Sequence, residues 1–164
     1  MVKATYHHAP EGYFCPFCEV VRGGRRARTQ PEDIVFQTGK VTAFVAAGWW
    51  PNNPGHVLVA PNAHFENIYE LPDEYSAAIY AVARRIALAL KSAYGCHGTS
   101  TRQHNEPGGG QDVWHYHLHV FPRYEGDSLY ALTDRRRTTS PEERVPYARR
   151  LRAALQAQVE PRGT

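Results

Sequence analysis

The sequence predicts an α+β fold: an antiparallel sheet of about five strands, one long covering helix and a C-terminal helix. The long helix is indicated over residues 73–94, where apolar side chains recur at the spacing of one helix face. The sheet is indicated by short apolar segments that Gly, Pro and Asn separate. The last helix is indicated near residue 140, because Ser140 can cap it, Pro141 suits its first turn and Glu143 completes a capping box.

The first half of the chain is predicted to contain one short helix and three strands. In order, these elements are a helical turn over 15–22, strands over 34–36 and 40–46, a loop over 49–55 and a strand over 55–60. The first two strands form a hairpin across Thr38-Gly39. Val57 and Val59 share one face of the third strand, because side chains alternate along a strand.

The second half begins with the long helix. Gly95 is expected to end this helix. Its apolar stripe consists of Tyr75, Ile79, Val82, Ile86 and Leu90. The elements that follow are a strand over 98–103, a loop over 105–111, a histidine-bearing strand over 115–119 and the last helix over 140–157. Residues 1–12 and 125–140 lack a regular pattern, and residues 158–164 are expected to fray. We expect one domain over 1–164, with its core at 13–127 and a C-terminal extension.

The composition is typical of a globular domain and not of a disordered chain. Of the 164 residues, 42% are hydrophobic and 21% are charged. No apolar run approaches the ~20 residues that cross a bilayer, and the N-terminus lacks the apolar core of a secretion signal. We therefore expect a cytoplasmic protein with no membrane partner. The net charge of +3 is compatible with an anionic partner. The one basic cluster, Arg135-Arg136-Arg137, is interpreted as a solvated loop, so no specific nucleic-acid partner is expected.

Three cysteines argue against a disulfide scaffold, because the number is odd. Cys15 and Cys18 form a Cys-Pro-Phe-Cys motif. In a reducing compartment that spacing indicates metal or redox chemistry more often than a structural bridge. Cys96 stands alone and is interpreted as a small packing residue.

Three imidazoles alternate along the segment of residues 115–119. In an extended strand, residues two apart share a face at a spacing of about 6.6 Å, so His115, His117 and His119 would line one face. The alternate residues are apolar and are expected to pack on the core: Trp114, Tyr116, Leu118 and Val120. Such an array on a rigid strand suits a reactive centre. The alternatives are chance clustering among nine histidines and a metal site built from two of the three.

A glycine-rich loop precedes the histidine array. Gly108, Gly109 and Gly110 let the backbone turn sharply and point N–H groups at an anion, although a plain turn has the same composition. Beside an imidazole array we interpret the loop as a phosphate cradle. Neutral imidazole is a good nucleophile near neutral pH, and fixed N–H donors would stabilise charge on the phosphate oxygens. These residues predict an enzyme in which an imidazole attacks a phosphoryl centre and water then opens the phosphohistidine-type intermediate.

The sequence resembles the histidine-triad (HIT) family of nucleotidyl hydrolases and transferases. The resemblance rests on residues 110–123, and residues 54–64 and the Cys-Pro-Phe-Cys motif support it. It implies that His117 attacks the α-phosphate of a purine (adenine or guanine) nucleotide ester, anhydride or phosphoramidate. The candidate substrate classes are nucleoside phosphoramidates and dinucleoside polyphosphates. The backbone carbonyl of His115 would orient His117, and His119 would face the phosphate and the leaving group. The implied contacts to ribose or phosphate are Asn105, Gln111 and His119. Gly109 and Gly110 of the cradle are expected to contact the phosphate as well.

The resemblance also implies one structural zinc ion. Its ligands by position are Cys15, Cys18, His64 and His115, a Cys₂His₂ set that leaves His117 free. The redox alternative requires a strand before Cys15, and the sequence offers none. Family members are commonly homodimers that pair through the long helix and a strand, so the same assembly is expected here.

The sequence departs from the family pattern at several positions. The run over 44–48 lacks the acidic residue that grips the ribose in many members, and Asp112 replaces a hydroxyl residue. The next loop carries Trp49 and Trp50, which we expect to fill the core or an interface more readily than to stack on a base. Two further functions stay open: a nucleotide sensor without turnover, and a phosphorylase in which phosphate replaces water.

Overall fold

The computed structural model describes residues 6–159. Within that range the strands are β1 (Ile34–Gln37), β2 (Val41–Val45), β3 (Gly48–Trp49), β4 (Val57–Pro61), β5 (Gly98–Gln103), β6 (Leu118–Arg123) and β7 (Arg137–Thr138). The helices are α1 (Pro16–Val21), α2 (Asp73–Tyr94) and α3 (Pro141–Ala157). The predicted α+β class, the long helix and the C-terminal helix are confirmed. Residues 1–5 and 160–164, parts of the two segments expected to be irregular, lie outside the described residues.

Five strands form one antiparallel sheet, as predicted, and their order in the sheet is β1-β2-β4-β6-β5. A second sheet joins β3 to β7 and pairs Trp49 with Arg137. This small sheet was not predicted, because residues 49–55 were interpreted as loop and residues 125–140 as irregular. A strand of two residues carries no periodic signal, so its formation depends on a partner that is distant in sequence.

The two faces of the main sheet have different coverings. Val59 and Leu118 point to the face that α2 and α3 cover, where they join the main hydrophobic core. Ile79 and Ile86 of α2 are fully buried there, as the apolar stripe predicts. Alternate residues, including Leu58, point to the opposite face. That face carries α1 and the histidines, so the helices support the site from behind the sheet.

The ends of the two long helices follow their predicted caps. Gly95 ends α2 with φ 66°, a left-handed conformation that glycine adopts without strain, and its N–H donates to the carbonyl of Lys91. Ser140 and Glu143 form the predicted capping box of α3. Cys96, immediately after Gly95, is buried in the core, as expected.

The predicted histidine strand is shorter than expected, since β6 begins at Leu118 and not at His115. The last pair in the ladder to β4 is Val59 with Leu118. Beyond this pair, the Nε2 atom of His115 lies 2.9 Å from the carbonyl oxygen of Pro61. The imidazole side chain thus contacts a carbonyl that a backbone N–H would bind if the ladder continued. The N–H of Tyr116 donates to the carbonyl of Phe65, which draws residues 115–117 away from the sheet.

The apolar alternate positions behave as predicted except at one residue. Tyr116, Leu118 and Val120 are buried in the main core. Trp114 does not join that core, because the chain bends at residues 113–115, and it packs instead with its ring 5.7 Å from that of His8. Across residues 6–159, none of the helices combines the length and the hydropathy needed to span a membrane.

Candidate active site and metal centre

His117 is the buried centre of the histidine array. Its Nδ1 atom lies 2.8 Å from the backbone carbonyl oxygen of His115, the contact that the resemblance implies. A carbonyl only accepts, so Nδ1 carries the proton and Nε2 keeps a free lone pair. The ring of Phe17, in α1, meets the imidazole edge-on at 5.1 Å. Burial lowers the pKa of His117, so the ring is neutral near pH 7.

His119 lies beside His117, with the two ring centroids 5.0 Å apart. Its ring stacks on Phe121, and its Nδ1 atom lies 3.3 Å from Nε2 of His56. Burial lowers the pKa of His119 well below its ordinary value. His119 is therefore neutral and fixed between aromatic neighbours, and its Nδ1 is engaged by another imidazole.

His56 is a fourth histidine at this site and was not among the predicted site residues. It is almost fully buried, and its Nδ1 has no hydrogen-bond partner among residues 6–159. Burial lowers its pKa to about 3. Trp50 contacts the ring edge-on at 5.5 Å. His56 lies within the segment that carries the family resemblance, and that position was the signal that could have identified it.

Both loop tryptophans fill the interior, as expected. Trp50 packs with His56 and Phe121, and Trp49 packs in the main core with its ring 4.8 Å from that of Tyr147. The indole N–H of Trp49 donates to the carbonyl of Ala46. Neither tryptophan is available to stack on a base, because each is only 4% exposed.

A cavity of about 550 Å³ opens in front of His117. We call it the nucleoside cavity, after the ligand that the resemblance implies. Phe14, Phe17 and Leu58 form its apolar wall. Its polar residues come from three segments that are distant in sequence: Arg26, Arg28, Thr29, Asp112, His117, His119, Arg136 and Thr138. The volume lies within the range of about 300–1,000 Å³ that is usual for small-molecule sites.

A second cavity of about 410 Å³ lies on the other side of an ion pair between Arg136 and Asp112. His119 and both members of that pair line both cavities, whereas His117 lines only the nucleoside cavity. The guanidinium of Arg136 lies 5.6 Å from the ring centroid of Trp50. The arginine run over 135–137 is exposed, as predicted for a solvated loop, but Arg136 is also part of the site.

The predicted phosphate cradle forms a short turn over Pro107–Gly109, and Gly110 follows in a left-handed conformation with φ 82°. Gly110 lines the second cavity, whereas Gly109 lines a neighbouring surface hollow that neither His117 nor His119 lines. The side chain of Gln111 accepts from the N–H of Glu106 and donates to two backbone carbonyls. Asn105 accepts from the N–H of Ile68. Both amides hold loops together, and their contact with nucleotide stays a prediction.

The four predicted metal ligands lie together, with their ligand atoms within 4.8 Å of one another. Nδ1 of His115 lies 3.3 Å from Sγ of Cys15 and 3.5 Å from Sγ of Cys18, and Nδ1 of His64 lies 3.3 Å from Sγ of Cys18. A tetrahedral zinc site with Zn–S of about 2.3 Å and Zn–N of about 2.0 Å has S···N edges of about 3.5 Å. The donor set and its spacing therefore fit zinc.

The elements around this group explain its geometry. Cys15 caps α1 and Cys18 lies in its first turn, so one short helix positions both sulfurs. His115 contacts Pro61 through Nε2, which directs Nδ1 at the sulfurs. Burial and the neighbouring Cys15 raise the pKa of Cys18 to about 12. Two adjacent thiols of this kind ionise together only when a cation offsets their charge.

Comparison with known proteins supports the predicted resemblance to the histidine-triad family. The family model of the HIT domain matches residues 27–126. Protein hit of Bacillus subtilis (strain 168) is 34% identical over 119 residues, which make up 72% of this chain and 77% of that protein.

Solved structures agree. A zinc-bound histidine triad family protein from Mycobacterium smegmatis has a TM-score of 0.72 and 30% identity, and the match covers 88% of this chain and 94% of that one. A hypothetical histidine triad nucleotide-binding protein from Sulfolobus tokodaii strain 7 has a TM-score of 0.73 and 25% identity over 87% of this chain and 93% of that one. The resemblance that the motifs predicted is thus confirmed, and the chain belongs to the HIT domain family.

Proposed function

We propose that this protein binds purine nucleotides and hydrolyses the bond between their α-phosphorus and a leaving group, with His117 as the nucleophile. The observation that carries the proposal is the orientation of His117. Its Nδ1 is engaged by the carbonyl of His115, so the unprotonated Nε2 is the atom available to a substrate in the nucleoside cavity. Both candidate substrate classes, nucleoside phosphoramidates and dinucleoside polyphosphates, contain the bond in question.

The reaction consists of two displacements at one phosphorus atom. In the first, Nε2 of His117 attacks, a P–N bond forms, and the bond to the leaving group breaks with its electron pair on the leaving atom. In the second, water attacks the same phosphorus and releases one proton to solvent, while the P–N bond breaks and its electron pair returns to Nε2. The products are a nucleoside monophosphate and the free leaving group. A neutral His117 suits this role, because protonated imidazole has no lone pair to donate.

The nucleoside cavity accounts for binding of the nucleotide half. Phe14, Phe17 and Leu58 offer an apolar wall for a purine base. Arg28 and Thr29 line the same cavity as residues 46–48, part of the run that lacks the family's acidic ribose ligand, and they supply hydrogen-bonding groups of another kind. The proposed contacts to ribose or phosphate are Asn105, Gly109, Gly110, Gln111 and His119. Gly110 and His119 are the best supported of these, because both line the second cavity.

We further propose that Cys15, Cys18, His64 and His115 hold one zinc ion of structural function. When bound, zinc takes the two thiolates and links α1 to the segment before β6. The carbonyl that orients His117 belongs to His115, so a fixed His115 also fixes the nucleophile. His117 itself stays outside the ligand group.

We also propose a cytoplasmic location and a homodimeric assembly. Cys15, Cys18 and Cys96 are free cysteines, which suits a reducing compartment such as the cytoplasm. Tyr80 and Leu88 of α2 are 57% and 50% exposed, so this helix offers an apolar surface for the homodimer expected of the family.

Replacing His117 by Ala tests the proposed function. We expect hydrolysis of adenosine 5′-phosphoramidate and diadenosine triphosphate to fall on the order of 10³-fold or more, while AMP still binds. The control is His97→Ala, which changes an exposed histidine that lines neither cavity. Unchanged hydrolysis in His117→Ala would remove the nucleophile assignment. Binding without hydrolysis in the unaltered protein would identify a nucleotide sensor, and a nucleoside diphosphate product formed only with added phosphate would identify a phosphorylase.

A further inference from the structure

The second cavity is where a leaving group would lie. Attack by Nε2 of His117 places the reacting phosphorus near the boundary of the two cavities, because His117 lines one and His119 lines both. With the nucleoside in its own cavity, the opposite substituent on phosphorus extends past His119 into the second one. The chemistry of the second cavity therefore selects the leaving group.

Arg102 lines this cavity, and within residues 6–159 its guanidinium forms no ion pair. Its guanidinium lies 4.8 Å from the ring centroid of Trp50 and 5.0 Å from that of Phe121. Its Nε is buried and has no hydrogen-bond partner among residues 6–159. A planar guanidinium supported by aromatic rings keeps its N–H groups free to bind an oxyanion with two oxygens at once.

The charges around Arg102 also favour an anion. Burial lowers the pKa of Arg102, and the nearby positive charge of Arg136 adds to this effect, whereas Tyr130 and Asp112 act in the opposite direction. Of the two carboxylates that line the cavity, Asp112 is engaged by Arg136, and Asp134 is exposed at the rim, where water screens it. An anion bound in this cavity beside Arg102 would offset the positive charge that Arg102 and Arg136 bring to its lining.

We propose that the second cavity binds a tetrahedral oxyanion, phosphoryl or sulfuryl, in the leaving group, and that Arg102 is its main ligand. The inference rests on the proposed function and narrows it: the preferred substrates are anhydrides in which the atom leaving the α-phosphorus belongs to a second phosphate or to a sulfate. Such a group departs as an anion, with the electron pair of the broken P–O bond on oxygen, and needs no proton. An amine must take up a proton as it departs, and the neutral His119 is a weak acid for that step.

Substrates with a common AMP half test the proposal. Diadenosine triphosphate and adenosine 5′-phosphosulfate carry an oxyanion in the leaving group, and adenosine 5′-phosphoramidate does not. We expect Arg102→Gln to lower kcat/KM for the two anhydrides by about 10- to 100-fold, the effect of losing a charged hydrogen bond. The phosphoramidate should change by less than about 3-fold. The two anhydrides together show whether phosphate, sulfate or both are accepted.

Two variants control for other causes. Arg26→Gln changes an exposed arginine of the nucleoside cavity and should affect all three substrates alike. Arg102→Lys keeps the charge without the planar fork and should retain part of the anhydride activity. An equal loss on all three substrates in Arg102→Gln, or a loss confined to the phosphoramidate, would overturn the proposal.

A binding experiment separates this inference from the proposed function. With AMP saturating the protein, inorganic phosphate and inorganic sulfate are titrated by calorimetry into the unaltered protein and into Arg102→Gln. We expect at least one anion to bind, and to bind more weakly to the variant, whether or not the protein turns over any substrate. Absence of anion binding, or equal binding to both proteins, would disprove the leaving-group site. Absence of hydrolysis with Arg102-dependent anion binding would disprove only the enzymatic proposal.

Discussion

Arg144 and Asp33 form a fully buried ion pair, with 2.9 Å between Nε and Oδ1, that joins α3 to the turn before β1. The same guanidinium donates to the backbone carbonyls of Thr139 and Arg28. Arg28 lines the nucleoside cavity, and Thr139 follows the strand β7 that also reaches it. Through one side chain, the C-terminal helix thus fixes two walls of the candidate site, so the extension is part of the functional unit.

Breaking this pair should cost much of the stability of the fold. We expect Arg144→Met to lower the free energy of unfolding by about 3–5 kcal/mol, because it leaves the carboxylate of Asp33 buried without its charge partner. Urea unfolding followed by circular dichroism measures the loss. Adding Asp33→Leu to Arg144→Met removes the orphaned charge and should restore part of the stability.

The matched control is the exposed ion pair between Arg25 and Glu32. Water already screens that pair, so Arg25→Gln should not change the unfolding midpoint measurably. A similar small effect of Arg144→Met would show that the buried pair contributes little, and the assigned role of α3 would then be wrong.

The second prediction concerns zinc. Protein purified without chelator should contain about one equivalent of zinc, because four suitable ligands converge on one point. Cys18→Ser should lose the metal and unfold at a lower temperature. Cys96→Ser is the control: it also removes a thiol, but one that lies in the core outside the ligand group, so its zinc content should be unchanged. Elemental analysis that finds less than about half an equivalent in the unaltered protein contradicts the four-ligand site.

The third prediction concerns acid stability and His56. Burial lowers its folded-state pKa to about 3, whereas an unfolded histidine titrates near pH 6.5. Between these values the unfolded chain binds a proton that the folded protein does not, so stability falls as the pH falls through that range. The positive groups that face the ring, Arg102 and Arg136, act in the same direction.

A variant isolates this contribution from that of the zinc ligands, which are also sensitive to acid. His56→Gln should show a shallower decline of unfolding free energy between pH 6 and pH 4, by at most about 1.4 kcal/mol per pH unit. The comparison is made by urea unfolding of both proteins at each pH. Parallel declines would mean that His56 is not the buried neutral group described above.

The sequence was sufficient for those parts of the site that local motifs encode. Cys15 and Cys18 are held by one short helix, and the contact of His117 with the carbonyl of His115 spans two residues, so a linear pattern specifies both. Arg102 and Arg136 are different. They meet at Trp50, which comes from a third segment, and no spacing in the sequence connects the three.

The extent of the histidine strand was mispredicted for a related reason. Alternation along residues 115–119 is real, but strand pairing also requires a partner. The partner β4 ends at Pro61, and the N–H of Tyr116 bonds to Phe65 in the loop beyond it. The start of β6 is thus determined by contacts with other segments, which the alternating pattern of residues 115–119 does not reveal.

The last prediction concerns the pair between Arg136 and Asp112, which separates the two cavities. Asp112 brings a negative charge close to the place where a nucleotide phosphate is expected, and it engages a guanidinium that would otherwise be free.

Asp112→Asn removes that charge at nearly constant size, so we expect AMP to bind about 2- to 5-fold more tightly, within the range typical of exposed charge pairs. Arg136→Gln should weaken AMP binding, and both effects should shrink in high salt. Calorimetric titration at low and high ionic strength measures them. If Asp112→Asn instead weakens binding as much as Arg136→Gln does, the carboxylate acts mainly by holding Arg136 in its binding position, and the pair is a support that the phosphate needs intact.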